Sequence, residues 1–103
     1  MSTTKEFAQY VLDQLPDGVT ARKMMGEYIL YINGRIFGGL YDNRLLVKIT
    51  DSSSRILSSS DKESPYPGAK PMLLIEDVEN GELLSSLVNS MYFELPEPKK
   101  KIK

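Results

Sequence analysis

"YILYINGRIFGGLYDNRLLVKI", Tyr28 to Ile49, decides the fold. Tyr28, Leu30 and Ile32 alternate with Ile29 and Tyr31, the period of a half-buried strand rich in aromatic and β-branched side chains. Asn33-Gly34 comes next. It is the strongest short hairpin signal, because a type I′ turn needs positive φ at both central residues. A return strand from Arg35 to Tyr41, a second tight turn at Asp42-Asn43 and a strand from Arg44 to Ile49 follow. The stretch predicts an antiparallel meander, with Ala21 to Met25 as an extra strand in front. Gly38-Gly39 falls mid-strand, where glycine weakens a sheet unless a bulge or a close neighbour needs the space. The first helix is expected to cross there. A phosphate cradle does not fit, since such a loop opens a helix whose amides point at the anion. Nothing helical follows Gly39.

Amphipathic helices flank the meander. Thr3-Thr4-Lys5-Glu6 has capping-box spacing, with Thr3 accepting from the backbone and Glu6 reaching back. Phe7, Val11 and Leu15 recur every fourth residue, with Ala8 and Leu12 beside them, until Pro16 and Gly18 end the helix. Leu83, Leu87, Met91 and Leu95 repeat the pattern, with Leu84 and Val88 alongside, and stop at Pro96. Between the meander and this last helix lie a short helix within Asp51 to Ser60, a serine-rich surface loop, and a strand from Lys70 to Glu76. The order is helix, four strands, short helix, strand, helix. Strands grouped this way predict an α+β fold: an antiparallel sheet of about five strands with helices on one face. Residues 1–96 are expected to form one domain, and 97–103 a basic, disordered tail.

Composition excludes several chemistries. The 103 residues contain no cysteine and no histidine, which removes thiolate catalysis, disulfides, imidazole general bases and the commonest metal ligands. No cofactor or metal is expected. The N-terminus lacks a signal-peptide layout and no apolar run approaches a membrane span, so a cytoplasmic location is the expectation. The net charge of −1 argues against coating nucleic acid through bulk charge.

Candidate chemistry is sparse. The serines at 52–54 and 58–60 lack any activating partner and read as solvent-facing. Glu76, Asp77 and Glu79 crowd one turn before a helix, where acids favour the positive end of the dipole. Arg22-Lys23-Met24-Met25-Gly26-Glu27-Tyr28 sets two cations, a flexible glycine, an acid and an aromatic at a corner between strands. It reads either as a charge-guarded edge strand, with a buried methionine and a bulge at Gly26, or as a recognition surface. Tyr66-Pro67-Gly68 suits a type II turn, proline setting φ and glycine supplying positive φ. Lys70-Pro71 keeps Lys70 extended. The loop is a stiff scaffold first and a recognition loop second.

"ARKMMGEYILYINGRIFGGLYDNRLLVKI", then "PYPGAKPMLLIED" and a leucine-rich last helix, resemble the N-terminal domain of the TfoX/Sxy family from about Thr20 to Pro96. The resemblance implies the same α+β architecture. It also implies kinship with bacterial regulators of natural competence, which assist the cyclic-AMP receptor protein at promoters and carry a second, C-terminal domain whose counterpart is not expected here. It supplies no catalytic residues. The expectation is a non-enzymatic regulatory or protein-interaction module, monomeric or homodimeric, with a protein partner drawn by resemblance from the transcription machinery. Its interaction surface is expected at Arg22, Lys23, Gly26, Glu27, Tyr66, Pro67, Gly68 and Lys70. Two other readings stand beside it: a small-ligand binder or enzyme using Tyr66, Lys70 and Glu27, and a weak nucleic-acid binder using the meander's bases and the lysine tail.

Overall fold

A computed structural model describes residues 3–96; the basic segment 97–103 lies outside the described residues. Helix α1 (Lys5–Gln14) leads into strands β1 (Val19–Met24), β2 (Glu27–Ile32), β3 (Arg35–Leu40) and β4 (Leu45–Val47). Helix α2 (Asp51–Ile56), strands β5 (Lys62–Glu63) and β6 (Met72–Ile75), helix α3 (Gly81–Met91) and a 3-10 turn (Tyr92–Glu94) complete the order. The sheet is antiparallel, with strands in the order β1-β2-β3-β4-β6-β5. The expected α+β architecture holds, with six strands in place of about five. The addition is β5, two residues that carry no hydrophobic alternation for a sequence reading to find. Strand β6 begins at Met72 rather than Lys70, because Pro71 has no N–H to give a ladder.

Three two-residue turns build the meander. Met25-Gly26, Asn33-Gly34 and Asp42-Asn43 all hold positive φ at both positions, the type I′ geometry that matches strand twist. Gly26 is therefore a turn residue and not a bulge. Met25 at the tip is 96% exposed and Met24 half-exposed, so neither is the buried methionine expected from sequence.

The bulge lies elsewhere. Leu30 pairs with Gly38 but Tyr31 with Ile36, leaving Phe37 as an extra residue in β3. Strict alternation would send Phe37 and Leu40 to opposite faces; one inserted residue lets both reach the core, where both are completely buried. They join Leu30, Ile32, Leu45, Val47, Leu73 and Ile75 against Ala8 and Val11 of α1, Leu57 after α2, and Leu84, Leu87, Val88 and Met91 of α3. Each of the larger of these side chains contributes about 1.5–3 kcal/mol by leaving water. All three helices thus cover one face. Among the described residues none is long and apolar enough to cross a membrane.

Gly38 does not make room for α1. A Cβ there would lie 2.2 Å from the Leu46 carbonyl oxygen, so the neighbour is the β4 backbone. The helix ends also differ from expectation. Thr4, not Thr3, caps α1 by accepting from the Phe7 amide. Ser52 and Ser53 are buried rather than solvent-facing. Ser53 closes a capping box with Thr50 and donates to the Lys48 carbonyl at 2.8 Å. Ser52 donates to Glu94 through its hydroxyl at 2.6 Å and its amide at 3.0 Å, tying α2 to the end of the 3-10 turn.

Two outcomes follow. Gly38→Ala should lower stability to urea by about 2 kcal/mol or more, whereas Gly81→Ala, whose methyl meets only ordinary contacts, stays within about 0.5 kcal/mol of the parent. The Ser52 hydroxyl, then its amide and the Thr50 side chain, hold the Glu94 carboxyl below the usual range. A lowered folded pKa gives stability that is present above the unfolded pKa and lost as pH falls through the folded one. Ser52→Ala should therefore shift the Glu94 carboxyl titration upward by NMR, and its stability deficit at neutral pH should shrink in acid.

Candidate functional site

The helix-free face carries its own cover. Alternation along β4 sends Leu45 and Val47 to the helices and Leu46 the other way. Leu46 is nevertheless fully buried, and it stands outside the main core cluster. Its partner across β3 is Gly39, against which the Tyr41 ring lies: a Cβ at Gly39 would come 2.5 Å from that ring and 2.8 Å from the Tyr28 carbonyl oxygen. The segment 64–71, joining β5 to β6, folds over the same face and brings Tyr66 to Tyr41, ring centroids 6.4 Å apart.

That loop is stiff by construction. Gly68 takes φ +87° and the Ala69 amide donates to the Tyr66 carbonyl at 3.1 Å, closing the turn that Pro67 and Gly68 predict. Arg44 braces its root. The guanidinium pairs with Glu63, immediately before the loop, and donates to the Tyr41 carbonyl at 3.1 Å. Loop and sheet thus meet at a fixed distance.

Between them run adjoining hollows that share Tyr41, Pro65 and Tyr66. One, of about 580 Å³, is floored by Ile36, Gly38 and Ile49 and rimmed by Lys48, Lys70 and Met72. The other, of about 340 Å³, is lined by Met24, Met25, Glu27 and Ile29. Tyr66 is 60% exposed and stands between them. The Tyr41 phenol is pushed up from its usual range by burial, then by Tyr66 and by the Glu27 charge, so it stays protonated through neutral pH. Among the described residues no acidic or imidazole-type cluster fit for a metal is present.

Glu27 has a structural duty as well. Its Oε1 accepts from the Thr3 hydroxyl at 2.8 Å and from the Asp42 amide at 3.1 Å. The Thr3 amide donates to the Gly26 carbonyl at 3.0 Å, and Asn43 exchanges bonds with Thr3 and Thr4. This clasp joins the start of α1 to the β1–β2 and β3–β4 turns. It is where the Thr3 hydroxyl goes instead of capping the helix.

The residues singled out from sequence divide accordingly. Tyr66 and Lys70 share the larger hollow, while Glu27 meets Tyr66 in the smaller one. Pro67 borders a shallow hollow with Glu27, Asp42 and Arg44. Gly68 sits at the loop's open tip and Gly26 in the clasp. Arg22 and Lys23 do not line these hollows; pairing with Ile29 and Tyr28, they point to opposite faces of the edge strand. Glu27 and Lys70 lie on either side of the tyrosine pair and do not converge. Sequence reasoning missed Tyr41 and Lys48. The signal was available: Gly39 and Tyr41, Leu46 and Lys48 each lie two apart in register, so an aromatic two residues beyond a strand glycine can fill its empty place.

The model of the TfoX N-terminal domain family matches residues 11–97. An uncharacterised 12.7 kDa protein in the trpE 5′ region of Spirochaeta aurantia is 35% identical over 102 residues, covering 96% of this chain and 89% of that protein. No solved structure matches the chain significantly.

Glu27→Ala leaves the Thr3 hydroxyl and the Asp42 amide without their acceptor and should cost about 1–3 kcal/mol in denaturant unfolding. Glu27→Gln keeps an oxygen in place and should cost less than half as much.

Proposed function

The chain belongs to the TfoX N-terminal domain family, and from that membership and the site's geometry we propose that it is a non-enzymatic, protein-binding regulatory module. Its contact surface is the helix-free face, from Met25 across Tyr41 and Tyr66 to Lys70. The observation that carries this reading is the furrow itself. It is open, preformed and mostly apolar, with an exposed aromatic at its centre, the features of a binding hot spot. Its stiff proline-flanked wall loses little conformational entropy on binding. The ionisable groups that chemistry would need together, Glu27 and Lys70, are held apart by the tyrosine pair. Kinship with competence regulators makes cytoplasmic transcription proteins the first partners to test.

The test compares wild type with Tyr66→Ala in affinity capture from the source organism's lysate, with quantitative mass spectrometry. Tyr66 is exposed, so the variant should unfold within a few degrees of wild type. Its specific partners should be retained at least about tenfold less. An unchanged partner set, or an intrinsic substrate turnover that the variant abolishes, contradicts the reading.

A further inference from the structure

Resting on that reading, we infer that the larger hollow takes an extended peptide segment of a partner protein that pairs apolar side chains with a carboxylate. Of the residues lining it, Lys48 and Lys70 are the two that carry charge, and both are cationic. Among the described residues neither enters an ion pair; the one pair found is Arg44 with Glu63, outside this hollow. Lys48 and Lys70 beside an apolar floor of Ile36, Ile49 and Met72 give the open hollow a positive rim, which attracts an incoming carboxylate and does so less at high salt. Charge complementarity thus selects an acidic occupant. The chain's own Lys99-Lys100-Lys101 run has the same sign as the rim and is a poor candidate for it.

Shape selects a peptide. The hollow continues past Tyr41 and Tyr66 into the one at Met24 and Met25, making a trough longer than a compact metabolite needs. The methionines there are unbranched and adapt to varied side chains. Two lysines also fall short of the row of cations that grips a phosphate backbone, and the chain's net charge is −1.

The experiment titrates isotope-labelled protein with three acetylated and amidated peptides of equal length, in which leucine alternates with glutamate, glutamine or lysine. The glutamate peptide should shift the amides of Ile36, Tyr41, Lys48, Ile49 and Met72, with a Kd of about 1 mM or tighter. Binding should weaken at least about fivefold in the Lys48→Gln/Lys70→Gln double variant and with added salt, and remain unchanged in Lys62→Gln. Equal shifts from the glutamine peptide, shifts reproduced by free N-acetylglutamate, no shifts at all, or the same shifts evoked by oligothymidylate but not by peptide would overturn the inference. If partner capture still depends on Tyr66 while the glutamate peptide fails, the acidic-segment inference falls and the protein-binding reading stands.

Discussion

Two adjacent glycines in β3 set the terms for both faces of the sheet. Gly38 lets the β4 backbone approach to a distance that no side chain could tolerate, and Gly39 leaves the space that the Tyr41 ring occupies on the other side. The bulge at Phe37 just before them turns Phe37 and Leu40 toward the helices together. A strand that looks weakened by its composition is thus the one on which core and surface both rely. Its lost side-chain packing is offset by a phenylalanine and a leucine fully buried on one face and an aromatic lid on the other.

The stretch Arg22 to Tyr28 changes meaning once it is seen folded. Gly26 and Glu27 hold the N-terminal segment to two hairpin turns through hydrogen bonds at 2.8–3.1 Å. Those residues identify a scaffold. Arg22, Lys23 and Met24 are exposed on the edge strand, where charge discourages pairing with another sheet, and Met25 stands out at the turn. The other motif, Tyr66 to Pro71, forms the wall of the proposed contact surface: its turn stands free of the core and its tyrosine meets Tyr41.

Most of the fold was legible in the sequence because the dominant signals are local. Asn33-Gly34 and Asp42-Asn43 write hairpins into the chain, and leucines at every fourth residue write helices. What escaped is non-local. Strand β5 exists through its pairing with β6 and not through its own pattern. Ser53 is buried because the Lys48 carbonyl and the Thr50 cap need its hydroxyl, not because serine favours the interior. Thr3 has a capping spacing, yet a carboxylate 24 positions away claims its hydroxyl. The candidate site was half legible for the same reason. The loop announces itself with prolines and a glycine, but the partners that make it one wall of a furrow, Tyr41 and Lys48, come from register across the sheet.

The proposed contact role asks for a surface that is ready before any partner arrives. Here Tyr41 rests on Gly39, Tyr66 meets it, and Arg44 ties the turn after β3 to the root of the loop. The most direct measurement is the NMR spectrum of the free protein. Nuclear Overhauser contacts from the Tyr41 ring to the Gly39 α-protons and to the Tyr66 ring, with ring-current-shifted Gly39 resonances, are the result this account predicts. Gly39 α-protons at unperturbed positions, with a Tyr41 ring that contacts neither residue, would contradict it.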